Sequence, residues 1–199
     1  MKLQKLFFAA VIVLSANAAF AQTPLPAVTT THNVNISIPE VALLDVVGAG
    51  GSHTASIDLA GTAPSIAGEQ MTFGPAATNS TIWMNYSSII KSGSLRNVTV
   101  TITTGSVPAG LKLTVLAGDV TSGKGTKGTA ASAITFLNST DLTIPQNIFT
   151  GIGSVYTEAG NGKGSNLTYT LGSDGADYGS LDLENSASLV ISYTLSDII

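Results

Sequence analysis

The chain has 199 residues, 44% apolar and only 10% charged, with a formal net charge of −4 and no cysteine. An acidic balance without a basic stripe excludes ordinary nucleic-acid binding, which needs cations laid against phosphates. The missing thiols exclude cysteine catalysis, thiolate metal sites and disulfides. Met1 to Lys5 is short and basic, Leu6 to Leu14 is uncharged and apolar, and Ala19-Phe20-Ala21 gives a small-x-small pattern. Together they predict a signal peptide over residues 1–21, cleaved before Gln22. The apolar run is too short for a bilayer-spanning helix, which needs about 20 residues. No later stretch predicts an integral membrane segment. Cleavage removes Lys2 and Lys5 and no acid, so the mature chain is more acidic still. It is expected to be exported, to the periplasm, the cell surface or the extracellular space.

Residues 22–31 predict a flexible arm, because Pro24 and Pro26 remove ladder donors and disfavour helix. A single domain is expected over 32–199. Val34, Ile36 and Ile38 alternate with polar residues and predict a first strand over Asn33 to Ile38; Val41 to Val47 predicts a second, more buried one. Gly48 to Ser52 reads as a turn and Ala55 to Leu59 as a short strand with Ile57 and Leu59 aligned. Ala60 to Ser80 has no period and reads as a loop with a short strand at Met71 to Phe73. Thr81 to Ile90 predicts a strand in which Trp83 anchors the core.

Leu95 to Leu116 holds the clearest pattern. Val98, Val100 and Ile102 alternate with Thr99, Thr101 and Thr103, and after Pro108 and Gly110 a second alternation runs through Leu111, Leu113 and Val115. A period of two puts one face in the core, and the short Gly/Pro connection predicts a hairpin of the two strands. Within Gly118 to Ser132, Gly123 to Gly128 reads as a flexible exposed tip. Short strands are expected at Ala133 to Leu137 and Leu142 to Ile144, and Asn147 to Ile152 reads as strand or one helical turn. Glu158 to Gly164 reads as a Gly-rich tip. Asn166 to Leu171 and Ser188 to Leu195 close the chain as alternating strands. About ten short strands without a helix predict an all-β antiparallel β-sandwich, immunoglobulin-like or jelly-roll.

Chemistry-bearing patterns are sparse. His32 and His53 are the only imidazoles, and no Gly-x-Ser-x-Gly elbow accompanies them, so no enzyme is expected. Gly160 to Gly164 lacks the Ser/Thr and helix of a phosphate loop. Asp174, Asp177 and Asp182 form the densest acidic stretch and are candidate calcium ligands, since calcium takes six to eight oxygens from a loop that can bend. No other cofactor is expected. Trp83 with Tyr86, Tyr169 and Tyr193 offers a stacking platform for a glycan, giving an alternative reading as a secreted carbohydrate-binding module.

The leader, the arm through Val34-Asn35-Ile36-Ser37-Ile38, the low-charge Thr/Ser/Gly strands and the last strand, Leu189-Val190-Ile191-Ser192-Tyr193-Thr194-Leu195, together resemble fimbrial or pilus-type subunits of bacterial surface fibres. The resemblance implies a non-enzymatic structural or adhesion protein that associates with itself or with other fibre subunits. It also implies that Val34, Ile36 and Ile38 are the side chains inserted when an N-terminal strand completes a neighbour's sheet.

Overall fold

Paired backbone, more than side-chain pattern, decides where strands form in the computed structural model, which describes residues 26–138, 143–175, 178–182 and 187–198. Nine strands are present among these residues: β1 Val41–Val47, β2 Thr78–Ile89, β3 Arg96–Thr104, β4 Leu111–Ala117, β5 Lys124–Ala130, β6 Ile134–Leu137, β7 Gln146–Tyr156, β8 Ser165–Ser173 and β9 Val190–Asp197. Every pairing between them is antiparallel. The fold is the expected all-β antiparallel sandwich. Among the described residues no helix is long and apolar enough to cross a membrane.

One layer runs β6-β4-β8-β2-β1 and the other β5-β7-β3-β9. β2 joins them: its first half pairs with β8, and Ser87 and Ser88 near its end pair with Tyr156 and Val155 of β7. Between the layers pack buried residues of β2, β3, β4, β6, β7 and β8, among them Met84, Val98, Val100, Val115, Phe136, Ile152 and Leu167. Tyr86 of β2 meets Phe149 of β7 edge-on, with ring centroids 6.0 Å apart.

Several expectations need correction, three of them in the strand framework. The first concerns the stretch from Leu95 to Leu116. Its apolar face is buried as expected, but β3 pairs with β7 and β9 while β4 pairs with β6 and β8. The connection crosses from one layer to the other and is not a hairpin, and Val107 within it is fully buried.

The second concerns the expected tip at Gly123 to Gly128: from Lys124 on it is strand β5, paired with β7 from Lys124 opposite Tyr156 to Ala130 opposite Phe149, with a register shift between Gly125 and Lys127. Glycine makes this possible by leaving room for another backbone. A Cβ on Gly123 (φ 73°) would lie 1.8 Å from the Tyr156 carbonyl oxygen, and one on Gly125 (φ 108°) 2.2 Å from that of Ser154. The third is Asn33 to Ile38, which forms no strand.

At one end of the sandwich Arg96, the first residue of β3, is buried and gathers the surrounding strands. Its Nε donates to Asp197 Oδ1 of β9 at 2.7 Å and Nη1 to Ser88 Oγ of β2 at 3.2 Å. Nη1 also reaches the Val41 carbonyl of β1, and Nη2 the carboxylate of Glu40. The planar guanidinium suits such a node because its donors are fixed in a fork.

Candidate functional site

The arm and the sandwich fall into separate units, the second running Ile38–Ile199. Residues 26–37 have no strand or helix, and they are exposed throughout. Val34, Ile36 and Ile38, the expected assembly residues, are 69%, 84% and 75% exposed. An extended segment whose apolar side chains recur every second residue offers both backbone and side chains to a sheet edge. β1 and β9 are such edges, since among the described residues β1 pairs only with β2 and β9 only with β3.

The calcium candidates are only partly visible. Asp177 lies outside the described residues. The Asp174 N–H donates to the Gly110 carbonyl at 3.1 Å, and Asp182 lies on the rim of a cleft described below. Among the described residues no three His, Cys, Asp or Glu side chains come together in a metal-holding group.

Trp83 is not in the core. Ile82, Met84 and Tyr86 take the buried positions, and Trp83, one step out of phase, is half-buried on the opposite face of β2. Asn85 shares the parity of Trp83 and is nevertheless buried. Its Nδ2 donates to the Lys163 carbonyl at 2.7 Å and its Oδ1 accepts from the Gly160 N–H at 2.8 Å, which holds the β7–β8 turn. In that turn Glu158 has φ 65°, and its carboxylate lies 2.6 Å from Lys163 Nζ. The hydrogen bond from Lys163, aided by the Gly123 N–H, holds the Glu158 carboxyl below its usual range.

His53 pairs with Asp45 of β1, Nδ1 to Oδ2 at 2.8 Å, both side chains well exposed. Among the described residues no hydrogen bond ties His53 to a serine or threonine hydroxyl, so the pair lacks the nucleophile contact that a triad requires. His32 is exposed in the arm.

What sequence reasoning missed is a cleft of about 1120 Å³ opening between the layers beside β9. Inward residues of both layers form its floor: Ile82 of β2, Leu113 of β4, Tyr169 and Leu171 of β8, and Ile191 and Tyr193 of β9. The 53–61 segment forms a wall. It is extended, its Ile57 and Leu59 pack against the core, and the Ala60 N–H donates to the Ala76 carbonyl at 3.0 Å. The expected alternation of Ile57 and Leu59 is therefore present without strand pairing. The Tyr178 hydroxyl, accepting from the Met71 N–H at 3.1 Å, ties another wall together. A smaller groove of about 380 Å³, sharing Val46, His53, Ile191 and Tyr193 with the cleft, continues between β1 and β9.

On the cleft floor the hydroxyls of Tyr169 and Tyr193 lie 2.7 Å apart. Burial pushes the Tyr169 phenol up to about 12, and burial with the neighbouring phenol pushes Tyr193 well above its ordinary value. Both are therefore neutral donors at physiological pH. Comparison with family models, with curated proteins and with solved structures returned no match.

Proposed function

We propose that this protein is an exported, non-enzymatic structural or adhesion protein of the bacterial cell surface, a fibre subunit that assembles through its N-terminal arm. The observation that carries the reading is the arm itself. Val34, Ile36 and Ile38 keep the alternation of a strand and stay uncovered, an arrangement that costs solubility unless another surface takes them up. Pairing such a segment with the free edge of a second copy satisfies its main-chain groups and buries its alternate side chains at once. The signal-peptide pattern and the low charge of the chain agree with a secreted subunit whose faces are covered in an assembly.

The test compares two purified chains by light scattering, one starting at Gln22 and one at Pro39. The second start keeps Glu40, whose carboxylate bonds Arg96, so the sandwich is left intact. Oligomers are expected only from the longer chain, with equal thermal unfolding of both. Two equal monomers would overturn assembly through the arm. A carbohydrate-binding module is the second reading, favoured by Trp83 on an outer face; it predicts glycan-array binding that Trp83→Ala abolishes.

A further inference from the structure

We propose that the cleft beside β9 is a binding site for an uncharged, elongated apolar molecule carrying a neutral oxygen acceptor, of the kind found in acyl esters. The Tyr169–Tyr193 pair carries the inference. Two phenols bring two protons, and the bond between them uses one. The other proton belongs to whichever hydroxyl accepts, and neither hydroxyl has a second hydrogen-bond partner among the described residues. Both side chains line the cleft, with Tyr169 only 4% exposed. A donor held in an apolar floor selects for an acceptor, because its hydrogen bond is strengthened away from water and costly to leave unmade.

Size and charge narrow the class. Ligand pockets are commonly about 300–1,000 Å³, mostly apolar with a few placed polar groups, and this cleft, at about 1120 Å³, lies just above that range. Its apolar lining includes Ile57 and Leu59 of the wall and Leu171 and Ile191 of the floor. Asp58 and Asp182 also line it, and the one nearby imidazole, His53, is already bonded to Asp45. An anionic head would meet carboxylates there, so a free fatty acid is disfavoured and a neutral ester or ketone is accepted.

The experiment uses the whole mature chain and the neutral dye Nile red, followed by fluorescence, with methyl laurate, laurate and dodecane as competitors of equal chain length. Saturable dye binding is expected, displaced at least tenfold better by the ester than by laurate and severalfold better by the ester than by the alkane. The double variant Tyr169→Phe/Tyr193→Phe removes both polar atoms at nearly constant shape. It should keep the fold and the dye and erase the preference of ester over alkane. Leu59→Trp, on the wall outside the paired strands, should fill the cleft and abolish dye binding while the circular dichroism is unchanged.

Non-saturable binding, equal displacement by laurate, or an ester preference that survives the double variant would each overturn the site. So would dye binding that appears only in the chain starting at Pro39, or that a peptide of residues 26–38 displaces. Those last two results would place the arm of a second copy in the cleft instead, and they leave the light-scattering test of assembly to stand or fall separately.

Discussion

Two segments of this chain invert the usual relation between pattern and structure. Residues 33–38 alternate apolar and polar side chains and form no strand, whereas Lys124–Ala130, reading Lys-Gly-Thr-Lys-Gly-Thr-Ala, has no apolar alternation and is β5. The difference lies in the neighbours. β5 has β7 beside it and glycines that let the two backbones close up. The arm has side chains suited to a sheet and no strand to pair with among the described residues. Side-chain period states which face a strand would bury; a free ladder decides whether it becomes one.

The largest test of that contrast unfolds the paired framework while leaving the arm alone, and alkaline pH does so. Tyr86, Tyr169 and Tyr193 are all in the sandwich, and burial raises each above its ordinary value. A folded-state pKa above the unfolded value of about 10 gives stability that is complete below pH 10 and lost as pH rises towards the folded values. Tyr169 alone should withdraw about 1 kcal/mol at pH 11, since one unit corresponds to about 1.4 kcal/mol. Phenolate absorbance at 295 nm should rise cooperatively with the loss of β circular dichroism. A gradual rise in the still-folded protein would show the phenols to be solvated.

Arg96→Ala comes next, because it loosens the node where the unpaired chain becomes β1. Glu40, the Val41 carbonyl, Ser88 and Asp197 all lose their shared partner. Removing one member of a buried pair costs about 3–5 kcal/mol. Glu40 and Asp197 are 66% and 61% exposed and can return to water, so about 3 kcal/mol is expected in urea unfolding. Arg96→Lys, which keeps the charge and loses the fork, should recover only part of it.

Gly123→Ala addresses β5 directly. The new Cβ would sit 1.8 Å from a carbonyl oxygen of β7 at a φ of 73°, and the strained backbone together with the displaced ladder should cost about 2 kcal/mol. Hydrogen exchange should quicken at β5 and at the facing part of β7 before it quickens elsewhere. If the variant is as stable as the parent, close approach is not what makes this stretch a strand.

The same distinction explains what could be read from the sequence. The faces of Val98, Val100 and Ile102, of Leu167, Tyr169 and Leu171, and of Ile191, Tyr193 and Leu195 were legible because burial follows local parity. The span of β1, Val41–Val47, was legible as a near-continuous apolar run. Pairing was not: the short Gly/Pro connection after Thr104 looked like a hairpin turn, yet it carries Val107 through the core to the other layer. The parity of Ile82, Met84 and Tyr86 already placed Trp83 on the opposite face, and the size of the indole obscured that signal. Tyr169 and Tyr193 could be assigned to inner faces from sequence, but their meeting depends on how two layers stack, which no local pattern encodes.

The smallest expected effect on folding belongs to the arm, and it is the most informative about function. Val34→Asp/Ile36→Asp changes side chains that are already mostly in water, so the unfolding free energy should move by less than about 0.5 kcal/mol. Association should respond far more strongly, because charges inserted at alternate positions of a docking strand would have to be desolvated against an apolar surface. Unfolding and sedimentation measured on the same preparation separate these effects. Unchanged stability with lost oligomers assigns the alternation of the arm to assembly; a loss of stability with unchanged mass would mean that the side chains serve their own sandwich, and the contrast between the arm and β5 would then be one of degree.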